Sequence, residues 1–119
     1  MISSDKLKFL KFWFPAFFYS GIIFYVSGLP GSVIPPQINL FDKLCHVAEY
    51  MGLGFLTGRA MKGTAGFPSK KVRFLVVLFC FFYGLSDEFH QMFVPGRDFS
   101  FGDVAADAIG GLLGSLWIR

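Results

Sequence analysis

Cysteine is scarce in this sequence of 119 residues, which contains only Cys45 and Cys80. We expect Cys45 at the start of one helix and Cys80 in the middle of another, and such different depths argue against a disulfide between them. Two cysteines alone also make no metal-binding motif. No serine, cysteine or tyrosine stands out as a nucleophile either, so a hydrolytic mechanism would need an activated water molecule.

Charged residues are also few, at 16%, whereas 54% of the residues are hydrophobic and 17 are Phe. A soluble domain of this size rarely has so much apolar surface to bury. A membrane-spanning helix needs ~20 apolar residues, and the uncharged segments Phe12–Leu29 and Phe74–Ser86, the latter continuing to Val94, fit best. Two weaker segments are Leu44–Met61 and Phe101–Ile118. The sequence therefore predicts an all-α fold, a four-helix transmembrane bundle that forms a single integral membrane domain over 1–119.

Local signals give approximate bounds to these helices. We predict helices at about 12–29, 42–61, 72–94 and 100–118, with Asp42 and Ser100 as N-caps and Pro15 tolerated near the start of the first helix. A Pro-rich outer loop is expected at Leu29–Asn39, and a basic cytoplasmic loop at Lys62–Lys71. The first apolar run is longer than a typical signal-peptide core and lacks a clear cleavage pattern, so we expect an uncleaved helix.

The net charge of +3 could suggest a nucleic-acid partner, but its distribution argues for a membrane topology instead. Every Lys and Arg except Lys43 and Arg97 lies near the N-terminus, near the middle loop or at the C-terminus. By the positive-inside rule, both termini and the middle loop are cytoplasmic. The prediction is a multi-pass protein of the bacterial cytoplasmic (inner) membrane that binds no nucleic acid.

The acidic residues, except Asp5, fall at the opposite ends of the predicted helices. Helical spacing places them on one face of each helix. The three faces are Asp42, His46 and Glu49 in helix 2, Gly84, Asp87, Glu88 and Gln91 in helix 3, and Ser100, Asp103 and Asp107 in helix 4. At 1.5 Å per residue each stripe descends ~10–12 Å from its helix end. We therefore expect a shared polar cavity that opens to the outer surface.

An ionised side chain at the bilayer centre costs at least ~2.5–3.5 kcal/mol. The buried carboxylates must therefore face one another, bind Lys43, Arg97 or a histidine, or be protonated. Packed carboxylates share protons, which is how a general acid arises. Carboxylates with His46 and His90 could also hold a divalent metal. The spacing matches no specific metal motif, so the cofactor stays open.

A structural role is the alternative for several of these residues. Polar residues at helix ends are often caps or interfacial anchors, and Asp42, Asp98 and His90 fit that description equally well. Tyr50 could be ordinary packing with a satisfied hydroxyl. The greater depth of Asp87, Glu88 and Asp107 favours function, and the position of Arg97 beside the acidic cluster favours phosphate binding or ion pairing over a surface role.

Taken together, these motifs resemble the VanZ-like family of bacterial membrane proteins. The resemblance rests on D-K-x-x-H-x-x-x-Y over Asp42–Tyr50, the Gly84–Gln91 stripe, Pro95–Gly96–Arg97, Ser100 and Asp103, and it extends from the Pro-rich loop to the end of helix 4. Family members often carry Asn at the position of Asp107, which puts an ionised role there in doubt. The family takes its name from a protein linked to teicoplanin resistance, and the resemblance implies no defined biochemical activity.

The resemblance and the polar stripes together give a first functional hypothesis. A polar pocket in the outer leaflet, on the extracytoplasmic face, would bind or act on a membrane lipid or a lipid-linked envelope precursor, and it could affect teicoplanin susceptibility. The expected catalytic residues are Asp87, Glu88, His46 and Asp103. The expected substrate-binding residues are Asp42, Lys43, Tyr50, Gln91, Arg97, Ser100 and Asp107.

Two other classes of function remain open at this point. The polar cluster could be a structural device that only holds the helices together, or it could serve a proton-coupled transporter. The inner halves of helices 2 and 4 offer only Thr57, Ser115 and glycines as polar lining, which is little for a path to the cytoplasm. Whether the protein is an enzyme is not decided by the sequence.

Overall fold

The computed structural model of the chain describes residues 3–30 and 39–118, and the side chains of all of these except 39–41. The predicted Pro-rich loop lies mostly outside the described residues. Within them the structure is all-helical, with α1 at Ser4–Ser27, α2 at Asn39–Ala65, α3 at Ser69–Gln91 and α4 at Phe101–Ser115. The predicted all-α, four-helix class is therefore confirmed.

The first helix is longer than predicted. It begins at Ser4 because the Ser3 side chain accepts a hydrogen bond from the backbone N–H of Lys6 at 3.3 Å, and Asp5 lies favourably in the first turn. Most of the basic segment that was expected to be a polar lead-in is thus helical. Pro15 consequently lies inside the helix, and its expected place near the helix start was wrong.

The second helix also extends beyond its predicted bounds. Because α2 begins at Asn39, Asp42 lies in its first turn and is not the N-cap. The helix continues to Ala65, where Gly66 adopts a left-handed φ of 68°, a common way for a helix to end. The expected Lys62–Lys71 loop is therefore reduced to the residues between α2 and α3.

The last two helices are shorter at their C-terminal ends than predicted. The third helix ends at Gln91, and turn hydrogen bonds carry the chain through Val94 to Arg97, with Gly96 at a φ of 78°. The predicted N-cap of α4 is confirmed, because the Ser100 side chain accepts from the backbone N–H of Asp103 at 3.2 Å.

Glycines set the close packing of α4 against α2. A Cβ added at Gly110 or Gly114 would overlap the backbone carbonyl of Val47 or Met51, and one at Gly54 would overlap the backbone of Gly111. Only glycine allows backbones to approach so closely, as is common in membrane bundles. The first helix packs mainly on α2, and α2 and α3 each contact all the other helices.

The surface of the bundle is unusually apolar. Phe14, Phe17 and Phe18 on α1 are each 62% exposed, Phe74 on α3 is 65% exposed, and Trp117 after α4 is 71% exposed. A small core of Ile23, Tyr50, Leu53, Val72, Val76, Cys80 and Ile118 fills the centre. Of the described helices, α1 alone combines the length and apolar composition needed to cross a membrane.

Candidate functional site

The predicted polar stripes meet at one end of the bundle, where α2 begins, α3 ends and α4 begins. Glu88 and Asp107 are fully buried, at 0% exposure. Also buried are His46, Asp87, Gln91 and Asp103. Such a concentration of buried polar side chains requires partners for each of them.

His46 is the centre of this cluster. Its Nδ1 lies 2.7 Å from Oδ1 of Asp107, and its Nε2 lies 3.6 Å from Oδ2 of Asp103 and 3.9 Å from Oδ1 of Asp42. An ionised carboxylate only accepts hydrogen bonds, so the short contact places a proton on Nδ1. Nε2 faces the other two carboxylates, as an N–H in the imidazolium form and as a lone pair in the neutral ring.

Lys43 links the start of α2 to the start of α4. Its Nζ donates to Oδ1 of Asp103 at 2.7 Å and to Oγ of Ser100 at 3.4 Å. The hydrogen bond with Asp103 raises the pKa of Lys43 above its ordinary value, so this side chain, which precedes the apolar part of α2, is cationic. The predicted pairing of Lys43 with a carboxylate is therefore present.

Glu88 connects the cluster to the turn between α3 and α4. Its Oε2 accepts from the backbone N–H of Ser100 at 3.2 Å. When the Gln91 amide is oriented to satisfy both neighbours, the Gln91 nitrogen donates to the same Oε2 at 3.1 Å. The Gln91 oxygen then accepts from Arg97. Arg97 also donates to the backbone oxygen of Leu29 at 3.1 Å, which joins this turn to the end of α1.

A cavity of about 60 Å³ lies beside the cluster, between α1, α2 and α3. It is lined by Val26, Ser27, Asp42, Cys45, His46, Glu49, Asp87, Gln91 and Arg97. Water molecules or one small polar group fit such a volume, whereas a whole lipid does not. The cavity is therefore suited to one end of a larger molecule or to an ion with its water.

Several buried polar atoms at this site have no hydrogen-bond partner among the described residues. They are Oδ1 of Asp87, Oδ2 of Asp107 and the hydroxyl of Tyr50. Buried polar atoms in native proteins are nearly always satisfied, so each exception calls for an explanation such as a bound water, ion or ligand. Asp87 also borders the cavity, where a water or a polar group would be close to its side chain.

The structure brings most of the predicted site residues together, but the surroundings of Arg97 and Tyr50 differ from the expectation. Arg97 donates to carbonyl oxygens and, within the described chain, makes no ion pair. Tyr50 is fully buried in the hydrophobic core, but its hydroxyl has no partner among the described residues, whereas the packing alternative expected a satisfied one. Outside the cluster, Asp98 is exposed, and His90 stacks on Phe24 with ring centroids 4.5 Å apart.

Two cavity-lining polar residues were not identified from the sequence. Cys45 follows Asp42 by three residues and so shares its helical face, a signal that could have found it. Ser27 offers no such signal, because an isolated serine in an apolar helix commonly donates to a backbone oxygen of its own helix. In the structure its hydroxyl donates to the backbone oxygen of Phe24 at 3.1 Å.

Comparison with known proteins identifies one relationship. The family model described as VanZ/LLP1 matches residues 2–119. No curated protein and no solved structure matches the chain.

Proposed function

Because this chain belongs to the VanZ/LLP1 family, we propose that it is a multi-pass protein of the bacterial inner membrane whose polar pocket binds the head of a lipid or lipid-linked envelope component. The observation that carries this proposal is the placement of a buried, charged cavity at one end of a bundle whose sides expose large apolar side chains. A lipid presents the same combination of a polar head and an apolar tail.

The dimensions of the helices support the membrane part of the proposal. With 27 and 23 residues, α2 and α3 are ~40 Å and ~35 Å long, which exceeds the ~30 Å hydrocarbon core. Trp13 donates to Oγ1 of Thr64 at 3.1 Å, and Tyr19 donates to the backbone oxygen of Glu49 at 2.6 Å, so α1 and α2 are antiparallel. The basic residues near the α2–α3 connection lie at the end of α2 opposite the polar cluster, and the positive-inside rule then favours the extracytoplasmic side for the cluster.

The charges around the cavity indicate how a head group would be held. Arg97 uses part of its donor set on carbonyl oxygens, and a guanidinium has five N–H donors, so others are available to a phosphate. The free Oδ1 of Asp87 would accept from a hydroxyl or amine of the same head group. His46, held by Asp107, and the buried Glu88 and Asp103 would supply acid–base groups if a water molecule is activated there.

The test is co-purification in detergent followed by native mass spectrometry. The wild-type protein should retain an anionic lipid or lipid-linked precursor, and Arg97→Ala should release it. Arg59→Ala is the matched control, because Arg59 lies over the Phe12 ring in the opposite half of the bundle. Equal lipid retention by all three proteins would contradict the proposal.

One alternative also has a specific observation in its favour. The contacts of His46 with Asp107, Lys43 with Asp103 and Glu88 with Ser100 tie three helices together, as a purely structural cluster would. This interpretation requires that Asp103→Asn lowers stability and that every loss of function follows from that. A folded Asp103→Asn protein with normal melting temperature and no bound lipid would exclude it.

The transporter alternative gains no support from the geometry. Beneath the cluster lie the apolar side chains of Leu53 and Val76, together with Cys80. The hydroxyls of Thr57 and Ser115 donate to oxygens of their own helices. Within the described residues, therefore, no polar path leads from the cavity to the opposite end of the bundle.

A link to teicoplanin is suggested by the family and would act through the same pocket. Teicoplanin carries a fatty-acyl tail that anchors it in the outer leaflet, where this proposal places the cavity. Expression of the chain in a susceptible host should therefore raise the minimum inhibitory concentration of teicoplanin, and the Asp87→Asn chain should not. An equal rise of the minimum inhibitory concentration with both chains would show that resistance does not depend on the pocket.

A further inference from the structure

Three side chains from the starts of α2 and α4 face a common point. The Nε2 atom of His46 lies 3.6 Å from Oδ2 of Asp103 and 3.9 Å from Oδ1 of Asp42, and one ligand atom from each residue lies within 4.8 Å of the other two. Ligand atoms bound at ~2.0–2.2 Å to a tetrahedral ion are ~3.4 Å apart. The two distances from Nε2 of His46 exceed this spacing by only a few tenths of an ångström.

Asp107 holds the imidazole in the orientation that such a site requires. Its Oδ1 lies 2.7 Å from Nδ1 of His46, and its side chain is fully buried. A metal-binding histidine commonly donates its other ring N–H to a carboxylate, which fixes the tautomer and makes the free nitrogen a better ligand. The alternative group of His46, Glu88 and Asp107 includes the carboxylate whose hydrogen bond to Nδ1 already holds the ring.

The carboxylates around this point are acceptors, and the lysine beside them does not reach every oxygen. Lys43 satisfies Oδ1 of Asp103 and leaves Oδ2 facing His46. Asp87, 3% exposed, borders the same cavity as Asp42 and His46, and its Oδ1 has no partner among the described residues. A cation with bound water would satisfy both the three facing ligands and this free oxygen.

We propose that Asp42, His46 and Asp103 bind one first-row divalent cation, with Asp107 as a positioning residue. One imidazole and two carboxylates suit Zn²⁺ or Mn²⁺ better than Mg²⁺ or Ca²⁺, which prefer oxygen ligands alone. This inference concerns an ion and does not depend on lipid binding.

The test is titration of chelator-treated, detergent-purified full-length protein with zinc chloride by calorimetry, together with metal analysis after desalting. We expect one ion per chain, and Asp42→Asn and Asp103→Asn should each weaken binding by about 10-fold or more. Asp98→Asn is the matched control, because Asp98 is an exposed acidic residue outside the cluster. Cys45→Ser should also bind normally, which excludes the cavity thiol as the source of affinity.

Asp107→Asn tests the positioning role separately. Loss of an outer carboxylate typically weakens metal binding by about 10–100-fold. The visible absorption of bound Co²⁺ should also change in this variant, a readout that general destabilisation would not move. An absorption spectrum identical to wild type would overturn the role of Asp107.

Asp42→Asn decides the outcome if the more buried variants fail to fold, because the Asp42 side chain is the most exposed of the three, at 20%. Circular dichroism establishes that it is folded. Absence of Zn²⁺ and Mn²⁺ binding to wild-type protein would overturn the proposal. So would unchanged binding by folded Asp42→Asn, or loss of binding in Cys45→Ser.

Discussion

At the scale of the residue, the cluster depends on side chains that fit closely and on others that lack a partner. Gly84 lets α3 approach Asp107, since a Cβ at this position would lie 2.5 Å from Oδ2 of Asp107. Asp87, in contrast, has a buried oxygen that no described residue satisfies. The first feature belongs to packing and the second to binding, so substitutions at the two sites should have different effects.

Gly84→Ala should destabilise the protein by ~1–3 kcal/mol, because the added methyl group forces Asp107 to shift within a packed cluster. Gly21→Ala is the control, since a Cβ at Gly21 meets nothing within 4 Å, and Ala in a helix is ~1 kcal/mol more favourable than Gly. Denaturation in detergent, followed by circular dichroism, compares the two variants. Equal stabilities would show that the contact between Gly84 and Asp107 can relax without cost.

Asp87→Asn should leave stability unchanged or raise it by ~1–3 kcal/mol, since it removes a buried charge with an unsatisfied oxygen. The same substitution should reduce the amount of lipid or ion that co-purifies. Melting temperature and native mass spectrometry on one preparation measure both effects, with Asp98→Asn as the exposed control. A destabilised variant that keeps its full complement of ligand would mean that Asp87 is a structural residue.

At the scale of the element, the start of α4 combines a helix cap with the site. Ser100 accepts from the backbone of Asp103 through its side chain and donates to Glu88 through its own backbone. The cap therefore determines where Asp103 and Glu88 stand relative to each other. Ser3 makes the same type of cap at α1, but on the exposed N-terminal end of that helix.

Ser100→Ala should cost ~1 kcal/mol of stability, the usual value for loss of an N-cap. Ser3→Ala should have a much smaller effect, because an exposed helix end frays with little loss of global stability. Thermal unfolding monitored by circular dichroism distinguishes the two. If Ser3→Ala proved the more destabilising, the first turn of α1 would be part of the cooperative unit.

At the scale of the whole molecule, the bundle has an apolar circumference and two chemically different ends. One end holds the carboxylates, His46 and Arg97, and the other holds most of the basic residues. The exposed Phe side chains of α1 and α3 lie between them. This arrangement is stable in a bilayer, where exposed apolar surface costs nothing, and costly in water.

Reporter fusions should therefore find the two inter-helical connections in different compartments. In the proposed topology α3 crosses the membrane between Gly66 and Asp98, so a fusion at Gly66 should report the cytoplasm and a fusion at Asp98 should report the outside. Alkaline phosphatase and green fluorescent protein at each position provide opposite readouts. Reporters showing both positions on one side would contradict the multi-pass proposal and the extracytoplasmic pocket with it.

The sequence by itself determined the helical class, the N-cap of α4 and the polar faces of α2, α3 and α4. These features depend on local periodicity and capping, which a single segment carries. The tertiary structure decided which atoms meet: Nδ1 of His46 with Asp107, Arg97 with carbonyl oxygens, and Ser27 and Cys45 beside the cavity. Distances between helices depend on packing at glycines such as Gly110 and Gly114, where contacts between segments far apart in the chain set the geometry, and no local pattern encodes them.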